Sequence, residues 1–521
     1  MNDEQLHAMR HSLAHITASA VKRLWPEAKF GVGPVVENGF YYDIDLGEQK
    51  ISEANFGKIE KTMRRIITES QPFEKSIMPV DQAIAWAKEN NPQMQRLYGV
   101  AFATQEELDV YLERLEQAKL RDHRKLGKEL DLYTVSPLVG AGLPLFTPRG
   151  TVLRDIMAQY SNQLRLDHGF MKVWTPHITK KELYEASGHW AKFGDELFLV
   201  KSQETSDEMV LKPMNCPHHT QIFASKPRSY RDMPVRFLET ATDYRDEKTG
   251  ELGGLSRVRS LTQDDSHVFC REDQIGTEIN GLLESANELY STVGMKLRVR
   301  LSYRDESDAY LGAPELWESA QAQLKAAVIA NNLEYFEQDG EAAFYGPKID
   351  FMATDAIGRE HQLATVQLDF VQPGRFGLEY NDADSTTKQP VMIHCALLGS
   401  IERFLSVFIE HTAGWFPLWA APEQVRILTI NDTVLDYVAE IEAVLRDMVL
   451  MKPVKYNEIR FTRDDRNESL GKKIREATTW KVPVQLIVGP KDKEAREVSV
   501  RTQSGEEKVQ LNELEAYLKA L

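Results

Sequence analysis

Cysteine is scarce in this chain. Three thiols in 521 residues argue against a disulfide framework and suit a reducing cytoplasm. No apolar run reaches about 18 residues, so no transmembrane helix is expected. The opening MNDEQLHAMRH has no hydrophobic signal region. Neither GxGxxG nor GxxxxGK(S/T) occurs, which removes two common glycine-rich phosphate loops. A basic excess is missing too. Lys and Arg number 63 against 79 Asp and Glu, a formal net charge of −16. Nucleic-acid binding usually leaves a basic footprint. Net charge is a sum, however, and a local basic surface survives inside an acidic total. No internal repeat or low-complexity tract stands out.

What is present suits an α+β multidomain protein. Hydrophobic residues make up 42% and charged residues 27%, enough for buried cores. Residues 1–75 combine a helical period in HAMRHSLAHITASAVKRLW with two short strands in FGVGPVVENGFYYDIDL. Residues 76–135 are expected to be a helical linker. Within it TQEELDVYLERLEQAKLRDHRKLGKELDLY is expected as one charged, solvated helix with i,i+4 pairs. Residues 136–420 alternate helices with hairpins around the loops EKTGELGG, DAIGRE and QPGRFG. Hairpin connections favour an antiparallel sheet over a Rossmann fold. In residues 421–521, VRILTI, EIRFT and VPVQLIVG alternate with helical segments, which suggests a small α/β domain.

Two stretches carry chemistry. KPMNCPHHTQIF (212–223) holds Cys216, His218 and His219. Adjacent side chains diverge on helices and strands alike, so one shared ion cannot be assumed. VRFLETATDYRDEKTGELGGLSRVRSLTQDDSHVF (235–269) reads as two strands around a glycine-rich loop. Period two places Arg257, Arg259, Leu261, Gln263, Asp265 and His267 on one face, with Arg245 and Glu247 at the end of the first run. Arginine offers fixed planar donors for phosphate, so the face suits a polyanion plus a small polar ligand. A solvated, salt-bridged strand would have the same composition.

These motifs resemble those of the threonyl-tRNA synthetases, class II aminoacyl-tRNA synthetases. HGFMKVWTPHI (168–178) is similar to motif 1, the 235–269 hairpin to motif 2 and GSIERFLSVFI (399–409) to motif 3. NCPHH, QDDSH, AFYGPKIDF, TVQLDF and VMIHCALLGS stand among or beside them. The resemblance implies a class II catalytic core, an antiparallel sheet flanked by helices, plus a C-terminal anticodon-binding domain. It implies ATP as substrate, Mg²⁺, and one Zn²⁺ per subunit on Cys216, His267 and His394. Three protein ligands leave a catalytic zinc open to substrate. An apolar pocket separates near-isosteres such as threonine and valine by only about 10²-fold, whereas threonine offers an open zinc two donors.

Carried over in the same way, Met214, Gln263, Asp265, Tyr345 and Gln367 would contact the amino acid. Arg245, Glu247, Arg257, Leu261, Gln362, Thr365 and Arg403 would contact ATP. Arg245, Arg403 and Lys348 would serve the reaction, which needs positioning and charge stabilisation rather than a protein nucleophile. Asn467, Asp492 and Arg501 would read anticodon bases of the threonine tRNA. Lys472, Lys473 and Arg475 would supply phosphate contacts. Pro176 would mark a homodimer interface.

The sequence departs from its relatives at several points. The ubiquitin-like domain with which bacterial relatives begin is absent. Residues 1–75 resemble a remnant of an editing domain. Its HxxxH is present as His11 and His15, but no YVDxCxGPH-type segment lies between MPVDQAIAWAKEN and NPQMQRLYGVAF. The cysteines are all at 216, 270 and 395, which leaves none for editing, and the histidine pair reads as structural. Leu261 stands where an aromatic usually stacks on adenine, Cys395 replaces an arginine, and His218 replaces a glycine. A serine- or proline-specific class II synthetase and a non-catalytic tRNA-binding paralogue are the rival readings.

Overall fold

The computed structural model describes every residue except Glu48, 70–94 and 308–309. The expected junction in the editing-type segment lies largely outside the described residues. The chain divides into two compact units, Met1–Gln117 and Ala118–Leu521.

In the first unit the predicted helix is Asp3–Leu24, opened by an Asn2–Gln5 capping box. It packs on a four-stranded sheet and on the helix Glu53–Thr68. The hairpin strands Val35–Val36 and Gly39–Asp45 pair as expected, but around Glu37 and Asn38 rather than the expected Asn38-Gly39 turn, because Gly39 already pairs with Val36. Among the described residues of the expected linker, 95–135, the chain is not helical throughout. Gln95–Val100 is a strand, paired antiparallel along Gly39–Asp45, so the chain returns to the N-terminal sheet. The charged stretch beyond it is two helices, Gln105–Arg121 and His123–Glu129. They break at Asp122, whose carboxylate caps the second by accepting the Arg124 N–H at 2.8 Å. No residue of Gln105–Arg121 is buried, in keeping with a solvated helix.

The second unit is built on an eight-stranded sheet. Its strands are β1 (Met171–Lys172), β2 (Val235–Tyr244), β3 (Ser260–Cys270), β4 (Lys296–Tyr303), β5 (Tyr335–Asp339), β6 (Lys348–Thr354), β7 (Glu360–Asp369) and β8 (Val391–Ser400). The spatial order is β5-β4-β6-β7-β8-β3-β2-β1. The inner pairs are antiparallel, and only the edge strands β5 and β1 pair in parallel. Helices Pro148–Asp167, Ile275–Thr292 and Ile401–Thr412 pack against the sheet. The C-terminal residues form a five-stranded sheet led by three parallel strands, Phe461–Asp464, Val425–Thr429 and Val484–Val488. One continuous hydrophobic core runs from Leu126 to Leu518, so the blocks expected at 136–420 and 421–521 differ in topology but share a core.

The centre of the sheet is tied by a buried charge. Between Gln263 and Asp265 the β3–β8 register slips. Asp264 fills the irregularity, its carboxylate accepting N–H bonds from Leu397, Leu398 and Gly399 at 3.0–3.1 Å. Gly399 has φ +72, and a Cβ there would lie 2.5 Å from the Leu363 carbonyl, so the slip requires glycine. Burial pushes the Asp264 carboxyl up, and Arg165 pulls it down. The Arg165 Nη2 lies 3.3 Å from Asp264 Oδ2, and both side chains are fully buried. Removing one partner of such a pair leaves an uncompensated buried charge. Arg165→Met is expected to cost about 3–5 kcal/mol of stability, read as a lowered urea midpoint. A midpoint equal to that of the parent protein would show that the pair carries no net weight.

Candidate active site

Sheet register assembles the site. One row of directly opposed residues runs Lys348, Gln367, His394, His267, Phe237. The next runs Asp350, Thr365, Ala396, Asp265, Glu239. The rows are two residues apart on each strand, so both lie on one face of the sheet. Gln263 follows beyond the slip, opposite Ser400. The face expected from period two holds from Leu261 onward but does not reach Arg257 and Arg259. β3 begins only at Ser260, and a turn bridging Gly253 to Arg257 precedes it.

Cys216 comes from another element. It opens the helix Cys216–Ala224, with Pro217 in the first turn, where its missing N–H costs nothing. One donor atom each from Cys216, His267 and His394 lies within 4.8 Å of the other two. His267 Nε2 faces His394 Nδ1 at 3.0 Å. Behind them, His267 Nδ1 meets His219 Nδ1 at 2.8 Å, and His219 Nε2 meets Glu239 Oε2 at 3.1 Å. On the other side His394 Nε2 meets Asp369 Oδ2 at 2.9 Å.

Proton placement along this chain is informative. If His219 and His394 donate to their carboxylates, His219 Nδ1 accepts from His267 Nδ1–H. Both facing nitrogens, His267 Nε2 and His394 Nδ1, are then bare lone pairs pointed at one another. That arrangement suits a cation between them, with each ring oriented by a partner behind it. Burial pushes the His267 ring well below its usual range, which keeps it a donor-atom ligand. Burial, with Asp265 and Asp369 nearby, pushes the Cys216 thiol well up. A bound cation is what would deprotonate it.

Beside these residues lies a cavity of about 320 Å³. Met214, Arg245, Gln263, Asp265, Tyr345, Thr365 and Gln367 line it along with Cys216 and His394. Tyr345 Oη donates to Gln367 Oε1 at 2.8 Å, and its ring lies 5.2 Å from that of His394. Burial pushes the Asp265 carboxyl up to about 6, with His219 and His394 pulling it down. In its ionised form it is a counter-charge for an ammonium group.

The other expected residues are not among those lining the cavity. Lys348 turns to Asp350 at 3.3 Å. Gln362 accepts from Arg300 at 2.8 Å. Arg257 pairs with Glu247 at 2.7 Å and with Glu251 at 2.9 Å. Leu261 is buried. Arg403 is exposed on the first turn of Ile401–Thr412. His218 is buried, its ring nitrogens without a protein partner. Burial, and then Lys212, push it down to about 4. His218 packs near the Tyr184 ring at 6.3 Å and does not line the cavity.

Sequence reasoning missed His189, Lys192 and Phe344, which also line the cavity. Burial pushes His189 down to about 3, so its ring is a neutral hydrogen-bonding group, held by Ser187 at 2.7 Å. The available signal was SGHW, a polar residue beside Gly188, whose φ of +85 lets two short helices abut. Also missed were Glu239 and Asp369, whose roles depend on which histidine each one backs.

In the C-terminal residues Asn467, in the bend after the strand Phe461–Asp464, and Arg501, on the strand Glu497–Thr502, are exposed. Asp492 is not free to read a base. It is buried, capping its own helix by accepting the Gly489 N–H at 2.8 Å and pairing with Lys508 at 3.3 Å. Lys473 cannot contact phosphate either. It is buried, with Nζ donating to the carbonyls of Thr429 at 2.8 Å and Asp464 at 3.2 Å. Lys472 pairs with Glu468 at 2.6 Å, and Arg475 is exposed.

The tRNA synthetase class II core domain family (G, H, P, S and T) matches residues 198–412, and the anticodon binding domain family matches 424–521. The threonine–tRNA ligase of Gloeobacter violaceus is 41% identical, over 97% of this chain and 90% of that protein. That of Deinococcus radiodurans is 43% identical, over 95% and 85%. The chain belongs to the threonyl-tRNA synthetases. Among solved structures, the RNA binding domain of threonyl-tRNA synthetase from Cryptosporidium parvum superposes with TM-score 0.71 at 32% identity, covering 77% of this chain and 98% of that one. A Giardia lamblia prolyl-tRNA synthetase shares the fold at TM-score 0.62 and 17% identity, covering 78% of this chain and 80% of that one. The synthetase is therefore a threonine–tRNA ligase of class II.

Proposed function

We propose that this ligase selects threonine through a zinc ion on Cys216, His267 and His394, and that it does not clear seryl-tRNA in cis. The observation that carries the first part is the convergence of three donor atoms within 4.8 Å, each histidine being backed by a further partner. A bound zinc would supply coordination for the amino nitrogen and side-chain hydroxyl of threonine, which valine cannot match. Asp265 holds the ammonium, and Gln263, Met214, Tyr345 and Gln367 wall the substrate. Arg245 stands at the cavity edge, where the threonine carboxylate attacks the α-phosphorus. The new O–P bond forms as the bond to pyrophosphate breaks, and Arg245 stabilises the developing charge. The terminal tRNA hydroxyl then displaces AMP from the threonyl carbonyl. Glu247, Arg257, Leu261, Gln362, Thr365, Lys348 and Arg403 border the nucleotide side. Asn467 and Arg501, both exposed, contact the anticodon in this reading. Glu239→Gln or Asp369→Asn is expected to weaken zinc binding about 10–100-fold in competition with a chelating dye. Purified protein without stoichiometric zinc, whose threonine-dependent ATP–pyrophosphate exchange survives chelation, would sink the reading.

Three facts support the absence of cis-editing. No cysteine stands outside 216, 270 and 395, and all three are buried in the second unit. His11 and His15 stack edge-on at 4.7 Å, and burial, then His11, push His15 down. The alignment with the G. violaceus ligase runs over 573 positions against 521 residues here, so that relative carries residues in the span that this chain lacks. Serine also has an amino group and a hydroxyl, so zinc alone does not exclude it. The enzyme is expected to leave pre-made Ser-tRNA specific for threonine intact over many turnover times. Rapid deacylation in an acid-precipitation assay would refute this.

The edge of the large sheet supports a homodimer. β1 ends the sheet, and Met171 (52%), Trp174 (74%) and Ile178 (46%) are exposed beside the exposed Pro176. Exposed apolar residues gathered at a sheet edge are what an interface would use. Sedimentation is expected to give a dimer, converted to monomer by Trp174→Glu. A monomeric parent protein would contradict it.

A further inference from the structure

Asp122, His123 and Glu410 stand close enough together to hold a metal, but their donor atoms already have partners. Both Asp122 oxygens accept from Arg124. Glu410 Oε2 pairs with Arg359 at 2.6 Å. Its Oε1 takes the His123 backbone N–H at 3.1 Å and the ring Nδ1–H at 2.7 Å. The far nitrogen of the same ring, Nε2, accepts the backbone N–H of Leu255 at 3.1 Å. His123 is 6% exposed and Leu255 1%.

This one ring spans three separate parts of the chain. Glu410 lies on the helix Ile401–Thr412, His123 begins the helix His123–Glu129, and Leu255 sits in the glycine-rich loop between β2 and β3. The fit around the ring is close. Gly254 has φ +56, and a Cβ there would lie 2.3 Å from His123 Nε2. The turn that His123 holds runs straight into Arg257. Ser256 N–H donates to Gly253 O at 2.8 Å, and Gly253 N–H to Arg257 O at 3.2 Å. Arg257 in turn grips Glu247.

We infer that His123 is a positioning residue for the ATP-dependent step, fixing the loop that carries Glu247 and Arg257 against the helix that carries Arg403. It touches no substrate. It acts through the Leu255 amide, in the single tautomer with the proton on Nδ1. The inference rests on the proposal that Glu247 and Arg257 border the nucleotide.

Two substitutions separate the two ends of the ring. His123→Asn places an amide N–H near the Nδ1 position and keeps the Glu410 bond but loses the loop. His123→Gln places an oxygen near the Nε2 position and keeps the Leu255 bond. In ATP–pyrophosphate exchange, His123→Asn is expected to raise the KM for ATP about 2- to 10-fold, the worth of one hydrogen bond. The KM for threonine should stay unchanged, because none of these residues lines the threonine cavity. His123→Gln is expected to restore most of the ATP KM. Faster hydrogen exchange at the Leu255 amide in His123→Asn, and not in His123→Gln, would support the same account even if both variants lose stability. Equal loss in the two variants, or a threonine KM that moves with the ATP KM, would overturn it. Arg257→Ala is the control. If it raises the ATP KM while His123→Asn does not, His123 alone is misassigned. If Arg257→Ala leaves the ATP KM unchanged, the nucleotide reading of the loop and the inference both fall.

Discussion

The buried carboxylate of Asp264 sets the register on which the site depends. It holds three consecutive amide groups of β8 against the slip in β3, with Arg165 as its buried counter-ion. A one-residue shift would turn every side chain of a strand to the opposite face. His267 and His394 would then no longer oppose each other, and the row that joins them to Gln367 would be lost. A fully buried ion pair is a poor source of net stability. Here its placement serves geometry, because the three amide groups it holds sit where strand pairing is interrupted.

The two halves of the site differ in how completely they are formed. On the proposed amino-acid side, the cavity walls and the three candidate ligands are already gathered, and the two histidines already meet their backing residues. On the proposed nucleotide side, Lys348, Arg257 and Gln362 are engaged with protein partners, and Arg403 extends into solvent. The Arg257 pairs are partly exposed and individually weak, so an incoming polyphosphate can compete for that cation, whereas Lys348 is held against the fully buried Asp350. The amino-acid half must discriminate between side chains that differ by one atom, and that demands rigid walls. The proposed nucleotide half, with a substrate of one kind, tolerates rearrangement.

Charge is arranged by the same logic. The net charge of −16 gives no hint of a tRNA ligase, and some of the cations are withdrawn from the surface. Arg165, Lys212 and Lys473 are among the largest fully buried side chains. Counting Lys473 toward a tRNA surface fails because its ammonium satisfies two backbone carbonyls and a threonine hydroxyl. A charged residue on a helix looks the same in sequence whether its face is wet or buried.

The sequence by itself determined the family and the architecture. Those rest on local signals: residue types at motif positions, strand period, hairpin loops and three cysteines in known places. Its local rules fell short where a residue's partner is distant. The return of Gln95–Val100 to the N-terminal sheet and the burial of Lys473 and Asp492 were invisible to it. So were the presence of His189 in the cavity and the span of His123 between Glu410 and Leu255. Tertiary structure decided these because hydrogen bonds and burial depend on what packs against a side chain. His123 and Glu410 are 287 residues apart, a separation that no periodicity encodes.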